Sequence, residues 1–491
     1  MKSNRKQGSY RLKIRALKSF RVIIFFLSAL FLFPNISRAE EKDTFTVALT
    51  GKYPPFSFYS STGELIGFDI DVTREIARRL GREPVIITTE WDSILAGLLV
   101  KKYDAIIGSM AVTPTRAEKV SFSTPYYVSG AQLFIQEKDR GEINGIEDLQ
   151  GRKVGVGLGE TYEHYLREKH PDIEVVPYRS AVDIFQDMLN GRIQGFVIDR
   201  LVGLYQIRRG EMPFVPAGSL LYEEKMAIPV TLDNRLLLEK INQALSRMRE
   251  EGLVDRLHRK WFGRRAEEPS GTVKRMSAGV IAGILIRGFV VTLIVAAIAL
   301  SLGFIISIPW GTVLNHDRSG FYFVFRFLND FIRGTPLLIQ LFFVYFGAPQ
   351  IGITLSPISA AIFTLTVNSA AYMAEVVRSG LMSVDRGQLL AGRALGLSPL
   401  QIFCFVTWPQ AFRVALPPLM NAVVALIKDT SLIAIISVSE VIREAQSIIS
   451  VTYNPIKYYL IVALMFFVVT FPLMKLAGRI EKAVKKRGFS E

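Results

Sequence analysis

The sequence predicts an α/β domain of two lobes followed by an all-α membrane domain of five helices. Three observations support that division. Residues 42 to 263 alternate short β-rich runs with amphipathic helical stretches, which argues α/β units on a largely parallel sheet. Residues 279 to 491 carry five apolar stretches near membrane-spanning length instead. The charge follows the same division. Of a net +15, residues 1 to 39 hold nine Lys or Arg and no acids, residues 40 to 263 hold 29 basic against 33 acidic residues, and residues 264 to 491 hold 21 against 11. The large globular region is slightly acidic and the basic excess flanks apolar segments, as the positive-inside rule requires, so nucleic acid is not an expected partner.

Residues 1 to 39 read as a secretory signal. Lys13, Arg15, Lys18 and Arg21 lead into the apolar run from Val22 to Phe33, Pro34 follows, and Ser37-Arg38-Ala39 offers small residues for a peptidase. The domain from 40 to 263 is then expected outside the membrane. Its elements begin with TFTVALT, VTREIARRLG, PVIITTE, SILAGLLVKK and DAIIGS. A helix is expected to start at Thr113, a good N-cap, with Pro114 at its first position. Its free N–H groups would attract an anion, and Arg116 adds a planar fork able to hold a carboxylate through two parallel hydrogen bonds. Residues 154 to 161, VGVGLGET, read as a strand running into a helix near Thr161, placing further N–H donors at the edge of the second lobe. The spacing of Gly155, Gly157 and Gly159 is not that of a dinucleotide fingerprint. Asp199 ends the strand GFVID, a position that suits a helix cap or a turn former.

Several strings of this region resemble the amino-acid branch of the extracellular solute-binding proteins. They are Tyr53-Pro54-Pro55-Phe56, Gly67-Phe68-Asp69-Ile70-Asp71, Thr113-Pro114-Thr115-Arg116, Phe122-Ser123-Thr124-Pro125-Tyr126 and Asp148-Leu149-Gln150-Gly151. The resemblance implies a periplasmic-binding-protein-like fold with an amino acid held in the cleft. Arg116 would then clamp the α-carboxylate, assisted by Ser109 and the backbone near Gly108. Asp199 would bind the α-ammonium, and Tyr53 and Trp91 would sandwich the side chain. Departures from the family pattern are Ala111 in place of a hydroxyl, Thr50 where binders of cationic amino acids often have an acid, and Glu160 in place of a threonine. Thr50 argues against lysine and arginine, whereas Glu160 or the face of Trp91 could compensate.

Residues 264 to 278, polar and spanning on the order of 20 Å as a coil, read as a linker. The five apolar stretches run over 279 to 310, 328 to 348, 354 to 377, 412 to 438 and 456 to 477. With the first end outside, the loop carrying Asp317 and Arg318, the segment with Arg378, Arg386 and Arg393, and the tail with Lys482, Lys485, Lys486 and Arg487 all fall inside. Lys428 and Asp429, adjacent within the fourth stretch, suit a pathway or a structural role between helices. Residues 380 to 410 form an arginine-bearing segment between two apolar runs. Gly396 suits a turn between short helices and Pro409 the start of the next segment.

That segment resembles the cytoplasmic coupling loop of ABC-importer permeases. Within it Gly387 and Gln388 also match the permeases, Leu390-Ala391-Gly392 stand at the family's EAA triplet, Gly396 is its glycine, and Val406-Thr407-Trp408-Pro409 close the pattern. Arg333-Gly334-Thr335-Pro336-Leu337-Leu338 and Lys428-Asp429-Thr430-Ser431-Leu432 likewise resemble the permeases of polar amino acids. Leu390 departs from the family's glutamate, which places a polar contact with the ATPase in question. No G-x-x-x-x-G-K-S/T phosphate loop occurs, so ATP is expected on a separate ATPase subunit, with no cofactor or metal on this chain.

The resemblance therefore implies a receptor-permease subunit of an ATP-driven importer for a polar amino acid. It would sit in the bacterial inner membrane with the binding domain outside, and five spans, half the usual pore, imply a homodimer or a pairing with a similar permease. The alternative is a ligand-gated channel or a sensor using the same binding domain. A channel would interrupt that domain with its pore, and a sensor would need a cytoplasmic signalling module. A dehydratase on this fold would need a catalytic base in the cleft.

Overall fold

The computed structural model describes residues 44–262, 276–316 and 321–486. The signal segment, most of the linker, the Asp317–Arg318 loop and the tail from Arg487 lie outside the described residues. The first lobe is built on strands β1 (Thr44–Leu49), β2 (Glu83–Thr88) and β3 (Ala105–Ile106), in the order β2-β1-β3 with β1 and β3 parallel. Helices α1 (Phe68–Leu80), α2 (Trp91–Leu99) and the single turn α3 (Pro114–Ala117) connect these strands and follow them. Gly67 precedes α1 at φ 140, and a Cβ there would fall 2.0 Å from the Phe56 carbonyl oxygen, so only glycine fits.

The second lobe is a five-stranded sheet of β4 (Tyr127–Gln136), β5 (Lys153–Gly157), β6 (Glu174–Tyr178), β7 (Gly195–Asp199) and β8 (Phe214–Met226), in the order β8-β4-β7-β5-β6. The β5, β6 and β7 pairings are parallel, and β4 and β8 run antiparallel to their neighbours. Helices α4 (Thr161–Lys169), α5 (Ala181–Leu189) and α6 (Arg200–Gly210) complete this lobe. The chain enters along β4 and returns along β8, so the paired β4 and β8 form the connection to the first lobe. After that return, Pro229–Thr231 pairs with Val120–Phe122, and α7 (Arg235–Glu250) and α8 (Leu253–Phe262) pack on the first lobe. Phe56, Phe68, Tyr127 and Phe262 make a buried aromatic cluster between these parts.

The remaining chain is helical: α9 (Ala278–Leu314), α10 (Tyr322–Gly334), α11 (Leu337–Phe342), α12 (Pro357–Met382), α13 (Arg386–Ala394), α14 (Trp408–Asp429), α15 (Val441–Thr452) and α16 (Pro455–Lys486). Among the described residues, four helical stretches, Ala278–Leu314, Pro357–Met382, Pro399–Ile436 and Pro455–Val484, are long and apolar enough to cross a membrane. The expected second span, 328 to 348, is not straight. Tyr322–Gly334 and Leu337–Ile351 meet at an angle of 107°. Pro336 explains the break, because it cannot donate to the helix ladder and it forces Thr335 into the extended conformation, φ −111 and ψ 144. Counting that pair as one span gives five.

Small residues set the packing of the spans. A Cβ at Gly311 of α9 would lie 2.6 Å from the Ala374 carbonyl oxygen of α12, and one at Gly380 2.6 Å from that of Ala411 in α14. The fourth span also departs from expectation. Its α-helix ends at Asp429, and a 3-10 turn, Thr430–Ile436, carries the chain to Ser437 in the left-handed conformation. Lys428 and Asp429 thus sit in the last α-helical turn, Lys428 exposed and Asp429 partly buried.

Candidate functional site: a cleft between two lobes and a coupling segment

One cavity is lined by Tyr53, Trp91, Gly108, Ser109, Ala111 and Arg116 of the first lobe and by Glu160 and Thr161 of the second. These are eight of the nine residues named from sequence for ligand binding. The ninth, Asp199, is not in the lining. It is buried at the start of α6, where one carboxylate oxygen accepts from the N–H groups of Leu201 (2.9 Å) and Val202 (3.1 Å). It therefore acts as the helix cap that its strand-end position allowed. Its other oxygen, Oδ2, is buried without a hydrogen-bond partner among the described residues.

Thr113 caps α3 as expected, its hydroxyl accepting from Arg116 N–H at 3.2 Å. The helix is a single turn, however, so the field of its N-terminus is small, and attraction for an anion falls mainly to the Arg116 guanidinium. That group donates to the Ala111 carbonyl (3.1 Å) and, across the cleft, to the Gly159 carbonyl (3.4 Å). It also lies 5.6 Å from the centre of the Trp91 ring, which therefore carries a cation on one face already. Ser109 sits at φ 53, donates its hydroxyl to Asp69 at 3.1 Å and its N–H to the Tyr126 oxygen at 2.9 Å. Tyr126 in turn donates to Asp69 at 2.8 Å. Burial pushes Asp69 up to about 7, against these two hydrogen bonds.

Sequence reasoning missed Lys52, Glu90 and Glu224, all in the cavity wall. Glu224 lies near the end of β8, and Thr161 donates to it. Two carboxylates of the second lobe thus share the cavity. Burial first, and then the negative charge of Glu224, push Glu160 up to about 7, while Arg116 pulls the other way. Burial also raises Glu224 and lifts Asp199 to about 6. Burial lowers Arg116 from its ordinary value against the attraction of Glu224 and Glu160. Glu160 Oε2, like Asp199 Oδ2, is buried without a hydrogen-bond partner among the described residues. The cavity therefore has a guanidinium on one side and the Glu160 and Glu224 carboxylates on the other, an arrangement that fits a ligand carrying a carboxylate and more than one cationic group. Among the described residues no group of three or more His, Cys, Asp or Glu could hold a metal ion.

The 380 to 410 segment begins with Asp385 capping α13 through the Gly387 N–H at 2.7 Å. Gly387, Leu390, Ala391 and Gly392 lie in α13, and Gly396 follows at φ 76, the left-handed conformation that glycine adopts without cost. Gly392 is buried where the chain returns, and a Cβ there would lie 3.1 Å from Ile402 Cγ1. Leu390 is 62% exposed and projects from the segment. Pro409 stands in the first turn of α14, as expected, but α14 continues from preceding helical turns. Ser398 caps a helix from Pro399, which passes through a π-helical stretch, Ile402–Thr407, into α14. The wider π turn accommodates a proline that lacks the N–H and crowds the preceding carbonyl.

Residues 45–264 match the bacterial extracellular solute-binding proteins, family 3, and residues 299–486 match the binding-protein-dependent transport system inner membrane component. The chain is 34% identical over 228 residues to the L-cystine-binding protein TcyJ of Escherichia coli (strain K12), covering 46% of this chain and 86% of the relative. It is 39% identical over 197 residues to the probable glutamine ABC transporter permease protein GlnP of Bacillus subtilis (strain 168), covering 40% of this chain and 90% of the relative. The chain belongs to the ABC importers of polar amino acids. In this importer subunit a solute-binding domain and a permease domain are fused in one membrane protein. A solved arginine-binding protein from T. maritima aligns over 46% of the importer chain and 98% of its own, at 32% identity and a TM-score of 0.43.

Proposed function

We propose that the importer subunit captures a cationic or diamino L-α-amino acid outside the bacterial inner membrane and delivers it to its own permease domain. The observation that carries this reading is the pairing, in one cavity, of the Arg116 fork with Glu160 and Glu224, one Glu160 oxygen having no hydrogen-bond partner among the described residues. Arg116 takes the α-carboxylate, with Ser109 and the Gly108 backbone beside it, and the walls at Tyr53, Trp91 and Ala111 hold the side chain. The carboxylates of the second lobe take the ammonium and a second cationic group. The names of two relatives, one binding L-cystine and one binding arginine, agree with a ligand bearing more than one cationic group.

ATP is bound and hydrolysed by a separate cytoplasmic ATPase, which docks on the segment containing Gly387, Leu390, Ala391, Gly392 and Gly396. Two copies of the permease domain form the pore as a homodimer, and no cofactor is bound by this chain. The exposed Leu390 makes the ATPase contact apolar where relatives use a glutamate. Purification of the tagged chain from its host tests this reading, followed by proteoliposome uptake of radiolabelled L-arginine, L-lysine and L-cystine with ATP inside. Co-purification of an ATPase and ATP-dependent accumulation are expected. A transport-competent preparation without an ATPase contradicts it.

A further inference from the structure

Helix α15, Val441–Thr452, is too short and too buried to be a span, yet it touches both lobes of the binding domain. Its start is held on the first span. Glu440, fully buried, accepts the Arg443 N–H at 2.8 Å, and Thr292 of α9 donates to Glu440 at 3.4 Å. From that fixed base Arg443, buried with a side chain only 3% exposed, donates to the Ala434 carbonyl at 3.0 Å and reaches Glu90 Oε1 of the first lobe at 3.4 Å. The same oxygen of Glu90 accepts Lys52 Nζ at 2.6 Å, and Lys52 also donates to Gln446, one turn beyond Arg443, at 2.6 Å. Lys52 and Glu90 are both walls of the ligand cavity.

The second lobe meets the same helix through apolar contact. Val182 at the start of α5 is buried in one cluster with Val441, Ala445, Ile448 and Ile449. Gln186 donates to the Tyr453 carbonyl at 3.5 Å. Across the cleft mouth, Arg179 of the second lobe lies 3.6 Å from Asp92 of the first. A single rigid helix can engage Glu90 and Val182 together only when the two lobes stand at one separation, so its contacts discriminate between lobe arrangements.

We propose that Arg443 is the residue through which the membrane domain engages the closed cleft, sharing the Glu90 carboxylate with Lys52 so that docking and lobe closure are coupled through a wall of the ligand site. This rests on the receptor and permease halves already described and not on the identity of the ligand. Arg443 is a positioning residue, acting on the ligand through Glu90 and Lys52.

The test uses the full chain in lipid nanodiscs, without added amino acid, in a Cys404→Ser background. Nitroxide labels are placed at exposed positions through Glu83→Cys with Lys169→Cys across the lobes, and through Glu118→Cys with Ile456→Cys between the binding and membrane domains. Pulsed electron spin resonance then reads both distance distributions. Arg443→Gln is expected to reduce the docked and the closed populations together, by about tenfold or more, as loss of one partner of a buried charge pair does. Glu90→Gln leaves the Arg443 bonds inside the membrane domain intact and is expected to reproduce both shifts. The double variant should be no worse than either single one, and Arg443→Lys should retain part of each population. Unchanged docking in Arg443→Gln overturns the proposal. So does loss of docking with the lobe distance unmoved, or a double variant that loses the sum of the two effects.

Discussion

Ligand affinity should rise as the pH rises from 6 to 8. Glu160 is half-buried in the cavity wall and is pushed up to about 7, first by burial and then by the negative charge of Glu224. A carboxyl at about 7 is roughly one-tenth ionised at pH 6 and roughly nine-tenths ionised at pH 8. If a cationic group binds the ionised form, the Kd for L-arginine falls about tenfold over that range, about 1.4 kcal/mol, and binding at pH 6 releases close to one proton. The sign for folding is opposite. A carboxyl raised in the folded state stabilises the unliganded protein fully below its unfolded value near 4.5, and that contribution is lost as the pH climbs through about 7. Calorimetry of the full chain in detergent, run in two buffers of different ionisation enthalpy, measures both the affinity and the proton count. A flat or falling affinity between pH 6 and 8 refutes the reasoning, as does a Glu160→Gln variant that keeps the wild-type slope.

Other consequences can be checked separately. Arg116→Lys keeps the charge but loses the fork that reaches Ala111 and Gly159, and ligand affinity should drop about 10- to 100-fold in the same calorimeter while the circular dichroism spectrum stays unchanged. Glu224→Gln should weaken binding of L-arginine far more than that of L-citrulline, its uncharged isostere, in competition with a radiolabelled ligand. Gly311→Val would drive a branched side chain to within 2.6 Å of the Ala374 backbone, and should cost about 1–3 kcal/mol of stability, read as a lower unfolding midpoint in detergent. Leu390→Asp should weaken the chain's hold on its ATPase, seen as faster dissociation of the complex on a sensor surface.

Much of this architecture is legible in the chain because local rules decide it. The alternation of strands and helices through residue 263, the capped turn at Thr113-Pro114, and the turn at Gly396 each depend on a few adjacent residues. The break at Pro336 was equally local, yet hydropathy alone reads straight through it, because Leu337 to Phe346 remain apolar on the far side of the bend. Pro409 stands at the start of α14 as read, but the π-helical stretch before it, which lets the helix run on from Pro399, has no signature in the local sequence. The cavity residues carried by motifs, Arg116 and Tyr53 among them, came together as read. Glu224, Lys52 and Glu90 did not stand out, because their roles depend on long-range neighbours. Glu224 faces Thr161 from a strand more than sixty residues away, and Glu90 faces Arg443 across the junction of the two domains. Asp199 shows the complementary limit, since one strand-end carboxylate can cap a helix and still keep a free oxygen.

The most direct test of the importer reading is calorimetric titration of the purified full chain with each of the twenty proteinogenic L-amino acids and L-cystine, beside Arg116→Ala. Saturable binding of one or a few ligands with a second cationic group, abolished by Arg116→Ala, is the result expected. A folded chain that binds none of them, or binds them equally well without Arg116, contradicts the account.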